Sequence, residues 1–177
     1  QEEFSQLGDT SRLLRLLGMA KVPAVVSFVG DLLETVEKVV VLAYHRDVIA
    51  ALATAFKDFG VVVFQGGMTD DDKEIAVHLF QRPERRVFIG QRVAAGTGIN
   101  GLQKVCSTCI IAEPSWVPGE TQQLIDRLDR MGQEDDVVNA YLLYAQGTLD
   151  HVVVKVHDRK QPVVDALHGD DLLNGLL

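Results

Sequence analysis

Little in this chain offers a redox or metal centre: its 177 residues hold two cysteines, one tryptophan and five prolines, with aromatics at 6%. Cys106 and Cys109 are spaced C-x-x-C. A structural zinc takes about four ligands, and no second C-x-x-C or H-x-x-x-H completes the set. A thioredoxin-like pair opens a helix with Pro or Gly between its cysteines, whereas Ser107 and Thr108 lead into the apolar Cys109-Ile110-Ile111-Ala112. Both cysteines are therefore expected as small core residues at a strand entrance, in a reducing compartment. An excess of basic residues is lacking too. The formal net charge of −8 argues against a free-standing nucleic-acid binder and leaves room for a local basic groove only. No uninterrupted apolar run reaches the ~20 residues of a membrane span, and no basic-then-apolar signal pattern opens the chain. Gly-Lys-Ser/Thr occurs nowhere, so the chain holds no Walker A phosphate loop. It begins with Gln1, in QEEFSQLGDTSRLL, as a fragment or processed product would.

What is present reads as an ordinary globular domain, 47% hydrophobic and 24% charged, long enough for one well-buried core. The N-terminal forty residues read as helices. Leu13, Leu14, Leu16 and Leu17 precede Gly18, and Pro23 sits where a first helical turn tolerates it. Val25, Val26, Phe28, Val29, Leu32, Leu33 and Val36 then recur at helical spacing. After these, short β-branched runs alternate with helical stretches. Strands are expected at 39–43, 61–64, 87–89, 109–112 and 137–144. Helices are expected from Asp47 to Phe59, after a Thr69 N-cap, from about Gly119 to Met131, and from near Thr148. Such alternation implies an α/β three-layer fold with a mainly parallel sheet covered on both faces. The expected organisation is a helical lead-in over 1–36, the α/β domain over 37–168 and a tail over 169–177.

In an open parallel sheet, ligands bind beyond the carboxyl ends of the strands, and four loops there carry unusual residues. One is the glycine-rich Gly96-Thr97-Gly98-Ile99-Asn100-Gly101, after the third strand. Glycines there permit close backbone approach to a ligand and present N–H groups to phosphate. Another is Gln123-x-x-x-Arg127-x-x-Arg130-x-Gly132-Gln133. On a continuous helix Gln123, Arg127 and Arg130 share a face, and guanidinium forks suit bidentate contact with phosphate oxygens. The alternative is a solvated face balanced by Asp126 and Asp129.

The ordered set VVVLAYHRDVIAAL, FQGGMTDDDKEIAVHLFQ, RVFIGQRVAAGTGIN and IIAEPSWVPGETQQLIDRLDRMGQ resembles helicase motifs IV to VI of superfamily 2. The Q-x-x-x-R-x-x-R-x-G-Q ending is similar to the Swi/Snf form. KVPAVVSFVGDLLETVEKVVVLAYHRDV and the E-P-S-W-V-P-G connection resemble the compact annealing-helicase (HARP-like) branch and its bacterial or phage relatives. The resemblance runs from about Ala20 to Leu167.

It implies a RecA-like second lobe, part of an ATP-driven translocase on duplex or branched DNA, inactive without a first lobe that carries the Walker A lysine. ATP with Mg2+ would be held mainly by that N-terminal lobe, the partner domain, with DNA as the other partner and no membrane. Arg127 and Arg130 would be arginine fingers at the γ-phosphate, with Gln123 and Gln133 positioning their segment. Gly96, Gly98 and Asn100 would couple nucleotide to DNA. His45, Arg46, Gly66, Gly67 and Arg92 would lie along the DNA backbone, while Trp116 and Pro118 would shape the loop before the arginines. Gln91 and Arg92 stand where the family usually carries a small hydroxyl residue, and Asp129 where it usually carries histidine. The location implied is intracellular, cytoplasmic or nucleoid-associated for a bacterial or phage source.

Two other readings stay open from the residues alone. One is a helicase-derived module that binds a protein partner without catalysis. The other is a dinucleotide enzyme, disfavoured because the glycine loop reads as a poor match to the G-x-G-x-x-G fingerprint and because no acidic residue stands about 20 positions after a glycine loop that follows the first strand.

Overall fold

The computed structural model describes residues 2–92, 100–115, 118–126, 128–129, 132–133 and 137–155; for 2–8, 118, 119, 121 and 124 it describes the backbone alone. Five parallel strands form one sheet in the order β2-β3-β1-β4-β5. They are β1 (Val39–Ala43), β2 (Val61–Phe64), β3 (Val87–Gln91), β4 (Thr108–Ile111) and β5 (Asn139–Leu142). The helices are α1 (Glu2–Leu32), α2 (Arg46–Ala55), α3 (Asp70–Phe80) and α4 (Pro118–Ile125), and residues 149–155 are helical as well. This is the RecA-like α/β arrangement.

The strands are apolar because both faces are covered. In β1, Val40 and Leu42 join Val62, Phe64, Val77, Phe80, Phe88 and Ile111 on the α3 side. Val39, Val41 and Ala43 join Val25, Val29, Ile49, Leu52, Phe56 and Ile110 under α1 and α2. Period-two alternation within one apolar run thus feeds two cores. Both cysteines lie in the α3-side core as free thiols, and burial raises the Cys109 pKa well above the ordinary thiol range.

Local stop and start signals act where the sequence places them. Gly60 takes φ 72° after the 3-10 turn Lys57–Phe59. An ideal Cβ there would stand 1.9 Å from Glu84 O, so any larger residue would clash with backbone. Thr69 caps α3 in a capping box with Asp72. At the other end of α3, buried Lys38 donates Nζ to Phe80 O (2.7 Å), Arg82 O (2.6 Å) and Arg85 O (2.7 Å). Burial lowers its pKa, while the three carbonyls replace the lost hydration of the ammonium.

Three expectations are corrected. The lead-in is one helix, α1, which runs through Gly18 and Pro23 without ending at either. Proline costs a helix interior about 3 kcal/mol. Here Val25, Val29 and Leu33 buried on the sheet and Lys21 buried beyond its end outweigh that cost. Residues Asp9–Leu32 of α1 are also long and apolar enough, by length and composition, to cross a membrane. Arg15 and Lys21 are the only charged residues in 13–30, so mean hydropathy is high although no run is unbroken. In the fold Val25 and Val29 of this helix pack against the sheet, whereas Leu13, Leu16 and Met19 are exposed. Finally, the helix expected to reach Met131 stops at Ile125. Leu128 N and Asp129 N both turn back to Ile125 O (2.9 and 3.1 Å). Asp126 and Asp129 put negative charge at a helix C-terminus, where the dipole disfavours it.

Candidate functional site

Strand order reverses around β1, which has β3 on one side and β4 on the other. Loops leaving those strands diverge and open a crevice at their carboxyl ends. The loops after β1, β2 and β3 are stitched together there. Gln91, the last residue of β3, donates Nε2 to Tyr44 O (3.1 Å) and accepts Gly66 N at Oε1 (2.8 Å). Arg46 donates Nη2 to Gly66 O (3.2 Å). Gly67 completes the turn with φ 91°, a conformation that requires glycine here.

Glu113, just past β4, joins the fourth loop to this set. Its Oε2 accepts Tyr44 N (2.7 Å) and His45 N (3.0 Å), and its Oε1 lies 2.6 Å from His45 Nδ1. The side chains of His45 and Glu113 are 13% and 7% exposed, which makes this contact strong. From the β3 side, Arg92 donates Nη1 to Glu113 O (3.1 Å) and sets its guanidinium carbon 4.9 Å from the Tyr44 ring centroid. Burial lowers the Arg92 pKa, opposed by Glu120, Glu113 and Tyr44, yet a guanidinium stays charged. Glu120 Oε2 sits 3.6 Å from Arg92 Nε, an ion-pair separation too long for a hydrogen bond, and accepts Ser115 Oγ (2.6 Å). Two buried nitrogens on this edge, His45 Nε2 and Arg92 Nε, have no hydrogen-bond partner among the described residues, although buried polar atoms are normally paired.

The structure therefore brings His45, Arg46, Gly66, Gly67 and Arg92 together. Gly96, Gly98, Arg127, Arg130 and Trp116 lie outside the described residues. Gln123 is exposed on α4, and Asn100 is exposed beside Gly101, whose Cβ position faces Val77 of α3 and Gln81 just past its end. Gln133 is at the opposite edge, donating Nε2 to Cys106 O (3.0 Å), before β4, and to Leu128 O (3.1 Å). It secures the chain beyond Leu128 and does not join the His45 cluster. Residues 96–101 do spell G-x-G-x-x-G, but they follow β3 and not β1, where the dinucleotide fingerprint belongs.

Glu113 and Tyr44 were not singled out from sequence. The available signal was an acidic residue directly after the buried run of β4, at a strand's carboxyl end. Among the described residues no group of three His, Cys, Asp or Glu could hold a metal ion.

Comparison with known proteins places these features. The family profile described as "Helicase conserved C-terminal domain" matches residues 20–132. The mouse (Mus musculus) DNA annealing helicase and endonuclease ZRANB3 is 30% identical over 161 residues, 89% of this chain and 15% of that protein. The Xenopus tropicalis SWI/SNF-related matrix-associated actin-dependent regulator of chromatin subfamily A-like protein 1 is 32% identical over 135 residues, 74% of this chain and 14% of that protein. The chain thus spans about a seventh of the length of these relatives. Among solved structures, the C-terminal part of the Fun30 ATPase domain superposes with a TM-score of 0.67 at 23% identity, over 74% of this chain and 44% of that one; this likeness speaks to the fold.

Proposed function

The chain belongs to the helicase conserved C-terminal domain family, among relatives of the Swi/Snf type, and from that membership we propose that it is the second motor lobe of an ATP-driven translocase on duplex or branched DNA. It works with an N-terminal RecA-like lobe that holds most of the ATP and Mg2+, and it hydrolyses nothing alone. Arg127 and Arg130 act as arginine fingers on the γ-phosphate, and residues 96–100 couple nucleotide state to DNA. Gln123 and Gln133 secure the two ends of the arginine segment. Work on DNA implies an intracellular location.

The observation that supports this reading best is the cluster at the carboxyl edge. Loops after four strands converge there with His45, Arg46 and Arg92 on a chain of net charge −8. A pair of arginines, Arg46 and Arg92, held at one edge of an acidic domain suits a shared grip, in which neither lobe holds DNA by itself. It also suits backbone contact, since Arg46 and Arg92 are fixed by carbonyls and a ring and read phosphate position, not base sequence.

The test is salt dependence. In the two-lobe protein, Arg46→Ala and Arg92→Ala are expected to weaken DNA uniformly across sequences and to lower the slope of log affinity against log salt by about 1 each. Unchanged slopes in both variants would remove these residues from the DNA path.

A further inference from the structure

We infer that Glu113 is a positioning residue for this edge, fixing the protonation pattern and orientation of His45 through which the motor contacts DNA. The DNA part of this inference rests on the function proposed above; the part that concerns the His45 ring does not.

Both oxygens of the Glu113 carboxylate are directed at the loop after β1. Oε2 takes the amides of Tyr44 and His45, and Oε1 takes the His45 ring at Nδ1. A carboxylate can only accept, so Nδ1 must carry the proton, and the ring's other nitrogen is presented outward from the pair. That nitrogen, Nε2, is buried and has no hydrogen-bond partner among the described residues. Tyr44 packs edge-on against the ring, with centroids 4.9 Å apart at 90°, which prevents it from swinging away. The ring is thus held on two sides, and its Nε2 is left unpaired among the described residues.

The carboxylate is itself braced. An ideal Cβ on Gly18 of α1 would stand 2.5 Å from Glu113 Oε1 and 3.0 Å from its Cδ, so the helix closes on the carboxylate with no room for a side chain. One turn on, Lys21 donates Nζ to Ala112 O (2.6 Å), the carbonyl just before Glu113. Arg92 holds the Glu113 carbonyl from the other side at 3.1 Å. An acidic residue beside a cationic DNA edge costs attraction, and a glycine inside a helix costs stability. Both are accounted for if the carboxylate sets the geometry of the histidine.

Glu113→Gln separates this role from bulk structure because it keeps the shape. Gln has one acceptor oxygen. With that oxygen on the two backbone amides, its NH2 group faces His45 Nδ1, and the ring must give up its Nδ1 proton. NMR of the ring nitrogens of His45 should therefore show a protonated Nδ1 in the wild type and an unprotonated Nδ1, with the proton on Nε2, in Glu113→Gln. In the two-lobe protein the same substitution should raise the forked-duplex concentration that half-saturates ATP hydrolysis by about tenfold, with the saturated rate little changed. Because both residues act through one contact, Glu113→Gln combined with His45→Ala should be no weaker than His45→Ala alone. An Nδ1 protonated in both proteins would overturn the inference, as would effects of the two substitutions that multiply. If His45→Ala leaves DNA dependence unchanged, the DNA reading of His45 fails, and the ring-setting role is decided by the spectrum alone.

Discussion

Arg127→Ala and Arg130→Ala are each expected to lower DNA-stimulated ATP hydrolysis by about 10³-fold or more in the two-lobe protein. A finger works by placing a permanent positive charge where negative charge develops on the transferred phosphoryl group. That placement depends on the backbone beneath it. Here α4 ends at Ile125, so the register of one long helix does not align the two arginines. The segment is instead pinned between them. Leu128 is 2% exposed in the α3-side core, its amide bonded to Ile125 O and its carbonyl to Gln133 Nε2 at 3.1 Å. Leu128 is thus fixed inward between the two arginine positions of the sequence. The loss should fall on the rate at saturating ATP, since a contact made only in the transition state lowers kcat. Lysine should not rescue either position, because it lacks the planar fork. The double variant should be far less than multiplicative if the arginines act as a unit. Rates within a few-fold of wild type in both single variants would exclude the finger role.

The second large effect concerns stability. Lys21 on α1 and Asp150 form an ion pair whose side chains are 10% and 4% exposed. Lys21 Nζ also donates to Ala112 O (2.6 Å) and Leu143 O (3.3 Å), at the ends of β4 and β5. Asp150 accepts Ala145 N (3.3 Å). One cation thus joins the first helix, two strand ends and the helical residues 149–155. Burying both ions is costly, so the intact pair need not add much net stability. Removing one partner is different, because the other stays buried and uncompensated. Lys21→Met and Asp150→Leu are each expected to cost about 3–5 kcal/mol, read from the urea midpoint. The double substitution should cost much less than the sum. Single costs below about 1 kcal/mol would mean that water reaches the pair and solvates the orphan.

Sequence patterning carried the sheet further than the helices. Buried parallel strands are β-branched on both faces, so β1 and β2 were legible as Val39–Ala43 and Val61–Phe64, and Gly60 and Thr69 marked real boundaries. The errors came where tertiary contacts overrode local preference. Gly18 reads as a helix stop, yet it is a close approach between α1 and Glu113. Pro23 reads as a helix start, yet the helix passes through it because its apolar face is buried on the sheet. In the opposite direction, 119–131 reads as one amphipathic helix, but acidic residues at its end turn the chain at Ile125. The convergence of strand-end loops, which brings His45, Arg46, Gly66 and Arg92 to one edge, was legible from the topology. Glu113 was not, because a single acidic residue carries no signal until the fold sets it against the β1 loop. Gln133 lies at the amino edge of the sheet, a placement that spacing along the chain does not reveal.

The central claim is that this lobe completes a DNA-driven motor. The most direct test is ATP hydrolysis by the purified chain, by a first lobe carrying the Walker A lysine, and by both together, each with and without forked duplex DNA. The expected result is negligible hydrolysis by the chain alone, and DNA-stimulated hydrolysis only when the two lobes are combined. Robust hydrolysis by this chain alone would contradict the division of the site between lobes. A first lobe equally active without it would contradict the motor role and favour a module that binds a protein partner.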